Sequence, residues 1–170
     1  MFKSGFVAIV GKPNAGKSTL MNEIIKHKIA IVSPKAQTTR NKIEGIYNDD
    51  RMQVIFIDTP GIHKSTTKLG VELNKMAFSS TKDVELTLFI VDASKKISDE
   101  DLKLLERLKT LESPLVLVLN KIDLLTKSEI IDISIEWNSK YDFAEVIQVS
   151  ALKSDNIEEL KNIIYKYLPE

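Results

Sequence analysis

One run of residues near the N-terminus has the glycine, lysine and hydroxyl spacing of a phosphate-binding loop. The run is Gly11-Lys12-Pro13-Asn14-Ala15-Gly16-Lys17-Ser18, which matches G-x-x-x-x-G-K-[ST], and Thr19 follows it. Glycines let backbone N–H groups approach phosphate oxygens, and the start of a helix adds a favourable dipole. We expect Lys17 to reach the β- and γ-phosphates of a nucleotide and the Ser18 hydroxyl to ligate Mg²⁺. The alternative is a strand-to-helix turn without a ligand, but an apolar run before the motif and a helical pattern after it favour the phosphate site.

A second candidate site follows another apolar run. Its residues are Asp58, Thr59, Pro60, Gly61 and Ile62. A carboxylate at the end of a strand can hold Mg²⁺, usually through water, and the Gly61 N–H would sense the γ-phosphate. Alone, this sequence is an ordinary turn. Together with the phosphate loop it indicates a magnesium and γ-phosphate site.

The third candidate site would recognise a base. It consists of Asn120, Lys121 and Asp123 after one apolar run and of Ser150, Ala151 and Leu152 after another. The Asp123 carboxylate can accept hydrogen bonds from guanine N1–H and the exocyclic amine, an edge that adenine lacks. We expect Asn120 to connect this pocket to the phosphate loop, the Lys121 stem to lie over the base, and the Ala151 N–H to face guanine O6. The sequence thus predicts GTP or GDP as the ligand.

Short apolar runs supply the elements that would position these motifs. They lie at residues 6–10, 54–57, 86–91 and 115–119, with a weaker one at 146–149. Runs without polar alternation are typical of strands covered on both faces. Helical patterns lie between them, so we predict a doubly wound α/β fold, a mostly parallel six-stranded sheet with helices on both faces. Residues 42–48, followed by the turn formers of 48–51, should add one antiparallel edge strand.

Three helices carry the sequence signature of a capping box at their N-termini. The pairs are Ser98 with Asp101, Thr126 with Glu129, and Asp155 with Glu158. In such a box, each residue's side chain binds the other's backbone N–H. Apolar residues at helical spacing follow each pair, which predicts amphipathic helices over the sheet.

Composition limits the possible classes of protein. The chain has 170 residues, 43% of them hydrophobic, and its 24 cationic side chains balance 24 anionic ones. A domain that grips a nucleic-acid backbone by itself normally carries a basic excess, so we expect RNA binding to lie elsewhere. The lack of cysteine excludes disulfides and fits a reducing compartment. With no signal-peptide pattern and no long apolar run, we expect a cytoplasmic protein.

The motifs together resemble the Era family of bacterial ribosome-assembly GTPases. The resemblance rests on residues 11–19, on Lys35-Ala36-Gln37-Thr38-Thr39-Arg40 and on Asp58-Thr59-Pro60-Gly61-Ile62-His63, and it covers essentially the whole chain. Related tRNA-modification GTPases usually have Ala in place of Pro60. The resemblance implies a P-loop GTPase fold and a Mg²⁺-dependent GTP-hydrolysing switch that acts in assembly of the small ribosomal subunit.

The resemblance also implies a domain organisation and partners. Residues 1–170 would be the G domain, and the family's C-terminal KH domain, which binds 16S rRNA, is absent from this chain. We expect a monomer. Some family members contact the inner face of the cell membrane, but no amphipathic anchor is evident in this sequence. A G domain from a tRNA-modification or other ribosome-biogenesis GTPase, or a GTP-binding scaffold without turnover, are the alternatives.

The switch residues are assigned by the same resemblance. Residues 29–41 look like switch I, in which Thr39 would close onto Mg²⁺ and the γ-phosphate, with Thr38 as the alternative. Lys17, Thr39 and Gly61 are the candidate catalytic residues. Ile62 stands where other GTPases carry a water-positioning Gln, so slow intrinsic hydrolysis is expected. Two further hypotheses are His63 as a base and Arg40 as an arginine finger. For both residues, the interpretation that we favour is an exposed side chain without a catalytic role.

Asn14 carries a hypothesis of its own. In relatives with Asn at this position, the side chain helps to bind K⁺ beside the phosphates in place of an arginine finger. The resemblance therefore makes Asn14 a candidate K⁺ ligand. The competing interpretation is that Asn simply suits a tight turn.

Overall fold

A computed structural model describes residues 1–25, 42–58 and 84–170. The described residues form six strands in one sheet: β1 (Lys3–Gly11), β2 (Lys42–Asn48), β3 (Met52–Asp58), β4 (Leu86–Asp92), β5 (Leu115–Asn120) and β6 (Glu145–Gln148). They also form four α-helices: α1 (Lys17–Ile25), α2 (Asp99–Leu108), α3 (Lys127–Asn138) and α4 (Ile157–Tyr167). A short 3₁₀ helix, Ile122–Leu124, lies between β5 and α3.

The strands are arranged in the order β2-β3-β1-β4-β5-β6. All of the strand pairs are parallel except β2 with β3, which is antiparallel. This arrangement confirms the predicted fold class. The strands β3 and β4 lie on opposite sides of β1, so the chain changes direction across the sheet after β3. The carboxyl ends of these three strands meet at this topological switch point, where α/β proteins bind ligands.

Helices cover both faces of the sheet. Val7 and Ile9 of β1 pack into a core with residues of α1 and α4, whereas Val10 faces a second core built by α2 and α3. Both faces of each central strand are therefore buried, which explains the uninterrupted apolar runs. In the second core, Trp137 meets Phe89 edge to face at 5.6 Å between ring centroids.

Two of the three predicted capping boxes are confirmed. At α2, the Asp101 N–H donates to Ser98 Oγ at 3.1 Å and the Ser98 N–H donates to Asp101 Oδ2 at 2.9 Å. At α3, Thr126 and Glu129 make the corresponding pair of bonds, at 3.2 and 2.8 Å. Each box satisfies N–H groups that have no partner inside the helix.

The capping box predicted for Asp155 and Glu158 is wrong. Helix α4 begins at Ile157 after Asn156, which has a left-handed φ of 65° and makes no side-chain cap bond. The Asp155 backbone is used elsewhere, because its N–H and C=O pair with the C=O and N–H of Ser150 at 2.9 and 3.1 Å. This bridge closes the loop after β6 and places Asp155 outside the helix.

The predicted hairpin joins β2 to β3 through residues 49–51. Asp49 organises its turn, since Oδ1 accepts from the backbone N–H groups of Arg51 and Met52 at 2.8 and 2.9 Å. Oδ2 accepts from the Tyr47 hydroxyl at 2.8 Å. Burial acts to raise the pKa of Asp49, but these hydrogen bonds together hold the pKa below its usual value.

Candidate nucleotide-binding site

The phosphate-binding loop leaves the carboxyl end of β1 and leads into α1. A cavity of about 350 Å³ lies against it, lined by Gly11, Lys12, Pro13, Asn14, Gly16, Lys17, Ser18 and Thr19. Ala15, the remaining predicted residue of this motif, is buried. Because α1 begins at Lys17, the positive end of its dipole and its first N–H groups lie at this cavity.

Two backbone features give the loop its shape. Asn14 and Gly16 have left-handed φ angles of 73° and 95°. A Cβ at Gly16 would collide with the Asn120 side-chain nitrogen, and a Cβ at Gly11 would lie 2.9 Å from the Ile90 carbonyl oxygen. Gly16 is therefore required both for its backbone conformation and for space. Asn is among the residues that tolerate a left-handed φ, so the loop's shape by itself suffices to explain Asn14.

Asn120 joins the predicted base site to the phosphate loop. Its Nδ2 donates to the Ala15 carbonyl at 2.9 Å, and its Oδ1 accepts from the Ala151 N–H at 3.0 Å. Asn120 is 2% exposed. One buried amide therefore links three segments that are far apart in the chain. The Ala151 N–H, which we expected to face guanine O6, is directed to Asn120 because this acceptor is adjacent.

Lys121 crosses from the base site to the loop. Its Nζ donates to the Asn14 carbonyl at 2.6 Å and pairs with Asp92 Oδ2 at 3.1 Å. Burial acts to raise the pKa of Asp92, but hydrogen bonds from Ser94 and Lys121 together hold the pKa below its usual value. The long stem of Lys121 is thus held at both the loop and the end of β4, which leaves its methylenes available as a surface for a flat ring.

Asp123 is exposed and is oriented by the last predicted motif. Its Oδ1 accepts from the Ser150 hydroxyl at 2.7 Å. Ser150 is itself buried and accepts from the Lys153 N–H at 3.1 Å. A carboxylate held through one oxygen presents the other to a ligand. Leu152, by contrast, is 71% exposed.

The predicted switch residues fall mostly outside the described part of the chain. These are Thr38, Thr39, Arg40, Thr59, Pro60, Gly61, Ile62 and His63. Asp58 ends β3, and its side chain is likewise not described. Since β3 runs parallel to β1, the Asp58 backbone lies at the same edge of the sheet as the phosphate loop.

Residues that the sequence analysis missed also contact the site. Asp92 holds Lys121, and Ser98 with Asp101 holds Lys12 at 3.0 and 3.1 Å. Asp92 could have been found, because it follows an apolar run as Asp58 does. The Lys12 contact had no sequence signal, because the capping box already accounts for the residue types at Ser98 and Asp101.

Two further findings concern residues 1–25, 42–58 and 84–170. No three His, Cys, Asp or Glu side chains among them are grouped to hold a metal ion. Within the same ranges, no helix has the length and apolar character needed to cross a membrane.

The fold and the site define a P-loop nucleotide-binding domain, and comparisons with known proteins name its family. Residues 6–121 match the family described as 50S ribosome-binding GTPase. The chain therefore belongs to the 50S ribosome-binding GTPase family. It is 51% identical over 171 residues to the GTPase Era of Clostridioides difficile (strain 630), covering 100% of this chain and 58% of that protein.

Solved structures agree with this assignment. An Era crystal structure in complex with MgGDPNP and nucleotides 1506–1542 of 16S ribosomal RNA is 39% identical, with a TM-score of 0.80, over 100% of this chain and 58% of that one. An Aquifex aeolicus Era variant bound to GDP and AlF₄⁻ is 39% identical, with a TM-score of 0.79, over 99% and 58%. The predicted resemblance to Era GTPases is confirmed, and the chain spans about 58% of the length of these relatives.

Proposed function

We propose that this chain binds GTP and GDP with Mg²⁺ and hydrolyses GTP to GDP and phosphate. The observation that carries the proposal is the buried Asn120 amide, bonded to Ala15 of the phosphate loop and to Ala151 of the base site. It sets the phosphate cavity and the base site at a fixed separation. A nucleotide with a guanine base has the groups to occupy both.

Phosphate binding would be the role of the loop and of the start of α1. The backbone N–H groups around Gly16 and the Lys17 ammonium would bind the β- and γ-phosphates. Ser18, which lines the cavity, would hold Mg²⁺ together with Asp58, and Thr39 or Thr38 would close onto the same ion. Mg²⁺, when bound, neutralises charge on the phosphate oxygens. This donor set of hydroxyls and a carboxylate suits a hard cation.

Base selection would be the role of Asp123. The Ser150 hydroxyl fixes one carboxylate oxygen, so the carboxylate is pre-oriented toward the guanine N1–H and exocyclic amine. Adenine would leave this carboxylate without donors, which discriminates strongly against ATP. The Lys121 stem would cover the ring.

The switch itself would depend on the γ-phosphate. Gly61 and Thr39 would contact this group, and hydrolysis would remove the contacts and release switch I and the segment after β3 that contains Gly61. Ile62 in place of a water-positioning Gln is consistent with slow turnover until an activator or a cation assists. Asn14 remains the candidate ligand for an activating K⁺.

The biological role that we propose is assembly of the small ribosomal subunit. Residues 1–170 would form the G domain of a longer, monomeric and cytoplasmic Era-type protein. Its additional C-terminal domain would bind 16S rRNA, as the Era complex with a 16S rRNA fragment suggests. The net charge of zero supports an RNA contact outside this domain. Contact with the inner face of the cell membrane remains a secondary proposal.

The base-exchange variant Asp123→Asn tests the proposed specificity. An amide at this position offers one donor and one acceptor, which suits xanthine N1–H and O2 rather than guanine. We expect the affinity for GDP to fall by about 100-fold or more and the affinity for xanthosine diphosphate to rise. Asp132→Asn, an exposed substitution on α3, is the matched control. Unchanged GDP affinity in Asp123→Asn would contradict the guanine assignment.

The K⁺ hypothesis needs a substitution that preserves the loop. Because Asn14 has a left-handed φ of 73°, Asn14→Gly removes the amide without imposing backbone strain. If K⁺ binds there, GTP turnover should be faster in K⁺ than in Na⁺ for the natural chain and equal in both for Asn14→Gly. Equal turnover of the natural chain in the two salts would rule out the hypothesis.

A further inference from the structure

Lys12, the second residue of the phosphate-binding loop, lines the cavity and its ammonium group contacts the N-terminal cap of α2. Its Nζ lies 3.0 Å from Ser98 Oγ and 3.1 Å from Asp101 Oδ1. Both partners belong to the capping box of α2, on a different part of the fold. The second residue of the phosphate loop is therefore attached to the N-terminus of a helix that follows β4.

Asp101 does more than a capping residue needs to do. Its Oδ2 accepts from the Ser98 N–H at 2.9 Å, which completes the cap, while Oδ1 faces Lys12. Asp101 is buried, at 6% exposed. A buried carboxylate requires a cation or several donors to offset its lost hydration. Glu129 of the α3 box has the same capping role and is exposed, so it shows what capping alone requires.

Two other side-chain contacts also hold parts of the loop. Lys121 Nζ binds the Asn14 carbonyl, and the Asn120 amide binds the Ala15 carbonyl. Those two contacts come from the base motif after β5. Lys12 alone among these three contacts ties the loop to α2. A loop held from two directions loses less conformational freedom when it closes around phosphates, so it binds them more tightly.

We propose that Lys12 and Asp101 are positioning residues that hold the phosphate loop in its nucleotide-binding conformation. Lys12 acts through Asp101 and the cap of α2, not as a phosphate ligand. The inference rests on the proposed function of the loop as the phosphate site. The proposal predicts that an uncharged side chain at position 101, which lies outside the phosphate-loop motif, weakens nucleotide binding.

The test compares GDP affinities of purified variants by fluorescence of N-methylanthraniloyl-GDP. Lys12→Met and Asp101→Asn each remove one side of the pair, and Asn at 101 retains an acceptor for the Ser98 N–H. Lys12→Arg keeps the charge and the donors. Glu129→Gln is the matched control, since it makes the same carboxylate-to-amide change in the other capping box. Urea unfolding without nucleotide, measured on every variant, separates stability from affinity.

We expect Lys12→Met and Asp101→Asn each to weaken GDP binding by about tenfold, the scale of a charge-assisted hydrogen bond. The double variant should be no weaker than Lys12→Met, because Lys12→Met already removes the ion pair with Asp101. Lys12→Arg should stay within about twofold of the natural chain, and Glu129→Gln should be unchanged.

Three outcomes would overturn the inference. Unchanged affinity in Asp101→Asn with a loss in Lys12→Met would make Lys12 a direct phosphate ligand. Additive losses in the double variant would show that the two residues act independently. Loss of stability in both variants without loss of GDP affinity would make the pair structural only. If the natural chain bound no GDP at all, the proposed function itself would fail, and that result is distinct from these three.

Discussion

Removing the Asn120 side chain should destabilise the protein even without a nucleotide. Asn120→Ala leaves two buried backbone groups without partners, the Ala15 carbonyl and the Ala151 N–H, which are bonded at 2.9 and 3.0 Å in the native chain. Ala15 and Ala151 are 3% and 1% exposed, so water does not readily replace the lost bonds. An unsatisfied buried backbone group costs about 1–3 kcal/mol, so the pair should cost roughly 2–6 kcal/mol.

That cost is large against the total stability of a domain, about 5–15 kcal/mol. For a domain of this size, each kcal/mol lowers the melting temperature by about 2–4 °C. Even a loss of about 3 kcal/mol, in the lower half of the range, therefore lowers it by roughly 6–12 °C. The assay is circular dichroism during thermal and urea unfolding in nucleotide-free buffer containing EDTA. The matched control is Asn138→Ala, which removes an exposed amide at the end of α3 and should change stability by less than about 0.5 kcal/mol.

The second readout separates the two consequences of Asn120→Ala. The same variant should bind GDP more weakly, because the base site and the phosphate loop are no longer connected. A melting temperature within about 1 °C of the natural chain would refute the reasoning, since the cost of two unsatisfied groups cannot be that small. It would mean that the two bonds are absent in solution or are replaced by water.

The remaining predictions concern three aspartates and their partners. Asp49→Ala should destabilise the hairpin by about 1–3 kcal/mol, which urea unfolding would measure, because the turn loses the acceptor for its backbone N–H groups. Since the pKa of Asp92 is lowered in the folded state, its ionised form stabilises the fold above the unfolded pKa, and this stabilisation is lost as pH falls through the lower, folded pKa. Asp92→Asn should therefore have a lower free energy of unfolding than the natural chain at pH 7. Urea unfolding of both chains at decreasing pH should show this difference shrinking below about pH 4. A difference that stays constant with pH would contradict the prediction. Ser150→Ala should weaken GDP binding by about tenfold through loss of the bond to Asp123, while a fluorescent GDP titration that showed no change would count against it.

Most of the fold was predictable because its signals are local. Continuous apolar runs indicated the buried parallel strands, and the capping boxes at Ser98 and Thr126 are set by residues three apart. The cap predicted at Asp155 failed for the opposite reason. Its backbone pairs with Ser150 across a loop, and a sequence pattern does not show that a tertiary contact has already used the groups that a helix cap would need.

The site divides in the same way. Gly16 and Lys17 were predicted from the motif, because the chemistry of phosphate binding fixes their spacing, and the structure places both at the cavity. The attachment of Lys12 to Asp101 was not predictable, since a long flexible side chain has several acceptors within reach and the fold selects one of them. The roles of Thr39 and Gly61 stay predictions, because both residues lie outside the described part of the chain.

The most direct test of the central claim is phosphate release from GTP and from ATP, with Mg²⁺ and with EDTA, over several hours. We expect Mg²⁺-dependent release from GTP alone, at an intrinsic rate on the order of 10⁻⁴–10⁻² per second, and its loss in Lys17→Ala. Tight GTP binding without any release would reduce the chain to a nucleotide-binding scaffold. Equal turnover of ATP and GTP would contradict the base site built from Asn120, Asp123 and Ser150.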